Sequence, residues 1–230
     1  MRSPDFMKNK INEFRQIAGY FAADLALPMD FIAEFLGVEE TQLTEAMVKQ
    51  GLVLALPVGT ILAVPPEALP PAQPDQAQAI STAVIDRLTH ALRRHNKVQQ
   101  LAAFQSLGAH MVTLTEKLEP FGFDNHWKLY ALMAQYLMLV GKTAEANDFF
   151  HQALHHFPEN DRGTSQEFNQ LRLQTADAET ALGNTKAAAK RVQQVMADEA
   201  VANGQPNPLL LVNFSVPFLI SIFGAMVCTS

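Results

Sequence analysis

From Ala79 onward, apolar residues recur at helical spacing. Ile80, Val84, Ile85, Leu88 and Leu92 make one stripe, and Val98, Leu101, Phe104 and Leu107 make the next. Met111–Leu118 continues the pattern until Glu119-Pro120-Phe121-Gly122 breaks it. The clearest stretch follows, Tyr130 to Pro158, YALMAQYLMLVGKTAEANDFFHQALHHFP. Ala134 lies one helical turn after Tyr130, and Leu137 falls on the same helical face. Gly141 marks a turn, Ala146, Phe150 and Ala153-Leu154 recur at helical spacing, and Pro158 ends the run. Two helices joined by a tight turn are predicted, touching where the side chains are small.

A second, weaker copy lies at Leu171–Met196. Ala176, Gly183, Ala188, Val192 and Val195 follow Ala134, Gly141, Ala146, Phe150 and Ala153 at one constant offset. Glu179 departs from the pattern, because Leu137 holds the matching place. A fainter copy lies upstream, with Asn96-Lys97, Leu101 and Gly108 in corresponding positions. This arrangement resembles the tetratricopeptide repeat, with an aromatic near the start, small residues at the helix contact and a closing proline. The offset exceeds that family's period of about 34 residues, because PENDRGTSQ lengthens the connection. The resemblance implies stacked helical hairpins over residues 79–200 that share one core, and a role in binding other proteins.

Residues 8–65 read as a small α+β unit. Phe31-Ile32-Ala33, Phe35-Leu36, Leu43 and Met47 predict two short helices broken at Gly37-Val38, and residues 52–65 predict extended chain around a turn at Pro57–Gly59. Residues 66–78 read as a proline-rich linker, since 65–78 hold five of the 13 prolines. The run IAEFLGVEETQLTEAM is similar to a helix-turn-helix, but Glu39, Glu40 and Glu45 stand against Lys49 alone, which is wrong for contacting phosphates. The same run also resembles a LysM domain: Ile32-Ala33 and Leu36-Gly37-Val38 match its first helix and exit, Leu43 its second helix, and Leu56–Pro65 its closing strand. That resemblance implies binding to N-acetylglucosamine polymers. The opening strand of the family is missing, with Ala26-Leu27-Pro28 in its place, and Met47 stands where an asparagine is usual.

The fold class expected is therefore mainly α: a small N-terminal α+β domain, TPR-like hairpins and an apolar C-terminal segment. A net charge of −6 argues against an electrostatic nucleic-acid partner. The lone cysteine, Cys228, excludes an internal disulfide framework and fits a reducing compartment. The N-terminal MRSPDFMKNKINEFRQIAG lacks the apolar core of a secretory signal. At the other end, Leu209–Cys228 is mostly apolar, and no charged residue follows Glu199. A helix needs about 20 apolar residues to span a bilayer core, so this run is long enough to serve as a tail anchor. Asn213, Ser215, Pro217 and Ser221 within it favour instead a segment buried in protein. The expected location is cytoplasmic, with attachment to the cytoplasmic membrane through that tail.

Catalytic chemistry has no residues to carry it. No phosphate-cradling glycine loop, G-x-S-x-G elbow or paired-carboxylate motif is present, so neither an enzyme nor a cofactor is expected. His151 and His155, one turn apart on one helical face with His156 adjacent, have the spacing of a metal pair but no third ligand. Asp124 reads as a helix N-cap and Trp127 as a residue packed between hairpins. The leading functional expectation is a bacterial-type adaptor that captures a protein or peptide segment through Tyr130, Gln135, Asn147, His151 and Gln170. Two others stand beside it: a chaperone for an apolar secretion or membrane substrate, with the tail as an intramolecular plug, and a cell-wall glycan binder.

Overall fold

Ile11, Phe14 and Ile17 fall on one helical face, and all three are buried in the computed structural model. They belong to α1 (Pro4–Ala18). The structure describes residues 4–22, 25–52, 54–55, 61–62, 73–93, 97–162 and 165–203. The remaining helices are α2 (Met29–Leu36), α3 (Glu40–Lys49), α4 (Pro74–Leu92), α5 (Lys97–Gly108), α6 (Met111–Leu118), α7 (His126–Leu139), α8 (Thr143–His156), α9 (Gln166–Ala181) and α10 (Thr185–Asn203). The fold is mainly α, as the periodicity predicts. The chain forms two compact units, residues 1–123 and 124–230.

In the first unit α1 packs on α2, α3 and α4, and α4 packs on α5. Gly37 ends α2 at φ +66, a left-handed conformation that glycine adopts without strain. The small α+β domain expected here is not supported. Its strand content among the described residues is two residues on each side, β1 (Leu54–Ala55) antiparallel to β2 (Ile61–Leu62). The described core of this unit is helical: α1 supplies Phe14 and Ile17 to it and packs on α2, α3 and α4. The LysM-like closing strand falls largely outside the described residues. So do linker residues 66–72, whereas 74–78 open α4, with Pro74 at its start, where a missing N–H costs nothing.

His110 ties this unit together. The Ala22 N–H donates to its Nδ1 at 3.1 Å, and its Nε2 lies 2.8 Å from the Ala26 carbonyl. That pairing fixes the neutral tautomer with the proton on Nε2. Phe21 packs edge-on against both His110, at 5.4 Å, and Phe31, at 6.1 Å.

The second unit is two successive helical hairpins, α7–α8 and α9–α10, with α8 packed on α9. Ala134, Ala146 and Ala153 are fully buried, which lets α7 and α8 approach closely. Around them Trp127, Tyr130, Phe150 and Phe157 form one core with Leu171 and Ala178 of α9. The second hairpin repeats the plan with Leu173, Ala176, Ala188, Val192 and Val195. Gly141 and Gly183 occupy the two turns at φ +80 and +81. Each turn closes the same way, Lys142 N–H to Leu137 O at 2.9 Å and Asn184 N–H to Glu179 O at 2.8 Å. Packed hairpins of this kind are compatible with a tetratricopeptide-like array. Asn125, not Asp124, holds the cap position of α7, and its side chain makes no cap hydrogen bond. No helix among the described residues is long and apolar enough to cross a membrane, and Leu209–Cys228 lies outside those residues.

Candidate functional site

On α9, Gln170, Gln174, Asp177 and Ala181 recur at helical spacing, so they form one stripe. The buried residues of α9 look elsewhere: Leu171 and Ala178 into the first hairpin, Leu173 and Ala176 into the second. The matching stripe of α7 is Lys128, Leu132, Gln135 and Leu139. Two side-chain contacts set these stripes side by side. Lys128 Nζ donates to Glu167 Oε1 at 2.8 Å, and Gln135 Nε2 donates to Gln174 Oε1 at 3.3 Å. The result is a face shared by α7 and α9, with Leu139 part-exposed beside the carboxamides of Gln135, Gln170 and Gln174, and with Leu132 buried beneath it.

Those contacts leave chemistry over. Each carboxamide carries one acceptor oxygen and two N–H donors, and the Gln135–Gln174 bond uses only one of each kind. Gln135 Oε1 and the Gln174 amide protons make no other hydrogen bond among the described residues. Burial raises the Asp177 carboxyl above its ordinary value, because desolvation disfavours the charged form. No hydrogen bond or ion pair engages Asp177 among the described residues, whereas Glu167 and Glu179 are both paired.

The five residues expected from sequence do not share one surface. Gln135 and Gln170 lie on the α7–α9 face. Tyr130 is a core residue: it packs edge-on against His126 at 5.2 Å and stacks on His156 at 4.9 Å. Asn147 and His151 are on α8, with the Asn147 Oδ1 buried and lacking a hydrogen-bond partner among the described residues. His151 is half exposed, and its Nε2 lies 3.6 Å from Glu179 Oε1. Sequence reasoning misses Gln174 and Asp177. Their spacing from Gln170 is the available signal, but a polar stripe has no apolar periodicity to draw attention to it.

Glu179 explains the break in the repeat pattern. Its carboxylate is buried, with only 5% of the side chain exposed, and it accepts from Arg191 Nη2 at 2.7 Å and Nε at 3.2 Å. Two further contacts follow the same rule. Trp127 meets Phe157 at 4.6 Å in the first hairpin; in the equivalent places of the second, Asn169 Nδ2 donates to Glu199 Oε1 at 3.0 Å. Tyr130 stacks on His156, and their equivalents Arg172 and Asp198 form an ion pair. The second hairpin therefore uses polar contacts where the first uses aromatic ones. Trp127 touches α9 through Phe157, which lies 4.8 Å from Phe168, so its role is packing between hairpins.

His155 and His156 lie edge to face at 5.4 Å, with His156 turned towards Tyr130. No group of three or more His, Cys, Asp or Glu side chains among the described residues could hold a metal ion. No protein-family model, curated protein or solved structure matches this chain at a significant level.

Proposed function

We propose that this protein is a non-enzymatic protein-interaction module whose second unit captures an extended segment of another protein on the face of α7 and α9. The observation that supports it most is the Gln135–Gln174 contact. It aligns two parallel stripes and leaves carboxamide donors and acceptors that a peptide main chain satisfies. Leu139 and the stem of Lys128 supply apolar contact beside them. Specificity in such a face comes from its charged residues, and affinity from a small number of well-packed contacts.

A photo-crosslinking amino acid placed at Leu139 or Gln170 of the full-length protein tests this in cells. Both positions should crosslink to another protein, while the same probe at exposed Lys186 on α10 should not. Equal crosslinking from all three positions would remove the case for a dedicated face.

The anchoring role belongs to the same reading. Leu209–Cys228 supports it by length and by freedom from charge, and it would put the module on the cytoplasmic side of a membrane. The same run favours a second reading, a chaperone whose own apolar segment covers the α7–α9 face until substrate displaces it. A chain ending at Asn203 separates the two. An anchored adaptor becomes extractable without detergent and keeps its thermal midpoint, whereas a plugged chaperone loses stability and gains binding to apolar peptides.

A further inference from the structure

The charges of the second unit neutralise one another almost everywhere along α9. Glu167 meets Lys128 at 2.8 Å on the α7–α9 face. Arg172 meets Asp198, and Glu179 meets Arg191 at 2.7 Å, on the sides of α9 turned towards α10. Asp177 is the exception. It stands one helical turn beyond Gln174, half-buried, on the stripe that carries Gln170 and Ala181, and no cation among the described residues answers it. Lys128, the basic residue of the two stripes, is already engaged by Glu167 at the other end of the face.

A carboxylate in that position is costly without a partner, because it has lost part of its hydration and gained no counter-charge. Such a group becomes favourable when a ligand brings a cation to it. A guanidinium or ammonium arriving over Asp177 would form a charge-assisted hydrogen bond in a partly desolvated setting, where such bonds are stronger than at an open surface. An acidic segment would meet repulsion there instead. The neighbouring Gln135 and Gln174 carboxamides bind main-chain groups of any sequence and so fix the segment without selecting its side chains.

We infer that the α7–α9 face takes an extended protein segment carrying a Lys or Arg, and that Asp177 is the residue that selects for that positive charge. The inference rests on the face proposed above as the binding surface. Its partner is defined by chemistry: a segment with one basic side chain placed a single helical turn from the main-chain contacts at Gln135 and Gln174, with small or apolar neighbours.

A displayed library of random dodecapeptides, selected against the full-length protein, tests the inference. Enriched peptides should carry Lys or Arg at one fixed position. A labelled synthetic copy should bind the Asp177→Asn protein at least tenfold more weakly by fluorescence polarisation. Asp177→Lys should enrich Asp or Glu at that same position, which a merely structural role for Asp177 would not produce. Circular dichroism melting of both variants keeps folding separate from binding. Peptides that lose affinity with Gln135→Ala yet show no basic preference and ignore Asp177→Asn would overturn this inference and leave the binding face standing. Peptides indifferent to Gln135→Ala and Gln174→Ala, or no enrichment at all, would overturn the face itself.

Discussion

Arg191 donates two hydrogen bonds to Glu179, from Nη2 at 2.7 Å and from Nε at 3.2 Å, and so holds α10 against α9. The carboxylate also lies 3.6 Å from His151 Nε2 on α8, which places one buried acid at the meeting point of three helices. Removing one partner of such a pair is far more damaging than removing both, because it strands a charge away from water. Arg191→Met should therefore destabilise the second unit by about 3–5 kcal/mol. The double change Glu179→Leu with Arg191→Met should restore most of that loss, since Leu already fills the equivalent position at Leu137. Urea unfolding of the four proteins in the cycle measures the coupling; additive losses would show that the pair does not hold the hairpin.

Trp127 is the only tryptophan in the chain, and it sits in the core of the first hairpin against Phe157. Its fluorescence thus reports the second unit alone. Phe157→Ala removes one face of that contact and part of the link to Phe168, with an expected cost of about 3–5 kcal/mol. The tryptophan transition should move to lower urea, and the emission should shift red in the native baseline.

Asp177 makes a pH prediction with a definite sign. Burial raises its carboxyl above the ordinary value of 3.8. The folded state then binds a proton that the unfolded chain has already released. Stability must therefore fall as pH rises from about 3.8 through the raised value, and above that the penalty is complete. Asp177→Asn should gain less than about 1 kcal/mol at neutral pH, because solvent still reaches the group. That gain should vanish near the lower end of the window. A variant equally stabilised at all pH values would show that desolvation of the carboxylate is not the cause.

In the first unit His110 satisfies the Ala22 N–H and the Ala26 carbonyl at once. His110→Ala strands both groups and opens a cavity beside Phe21, at an expected cost of about 2–4 kcal/mol. His110→Gln, which offers one acceptor and two donors, should recover part of it. Far-ultraviolet circular dichroism melts of the two variants provide the comparison.

The hairpins of the second unit are legible in the sequence because their signals are local. Gly141 and Gly183 are needed at positive φ, and Ala134, Ala146 and Ala153 are needed where α7 and α8 touch. Both requirements leave marks at fixed spacing. Glu179 reads only as a departure, because its reason is Arg191 on another helix, and a buried ion pair leaves no periodic trace. Tyr130 reads as surface because an aromatic with a hydroxyl suits either a binding face or a core. Only the stacking on His156 decides between them. α1 escapes a sequence reading although Ile11, Phe14 and Ile17 mark its buried face, because the many polar residues between them resemble a solvated leader. Of the apolar runs Leu52–Leu56 and Ile61–Val64, the described parts Leu54–Ala55 and Ile61–Leu62 pair as antiparallel strands, and most of the rest lies outside the described residues.

Hydrogen–deuterium exchange on the full-length protein, with and without a selected peptide, tests the binding face most directly. Slowed exchange confined to the α7 and α9 segments around Gln135, Gln174 and Asp177 is the predicted result. Slowed exchange on α8 or α10, or within residues 1–123, with α7 and α9 unchanged, would contradict it.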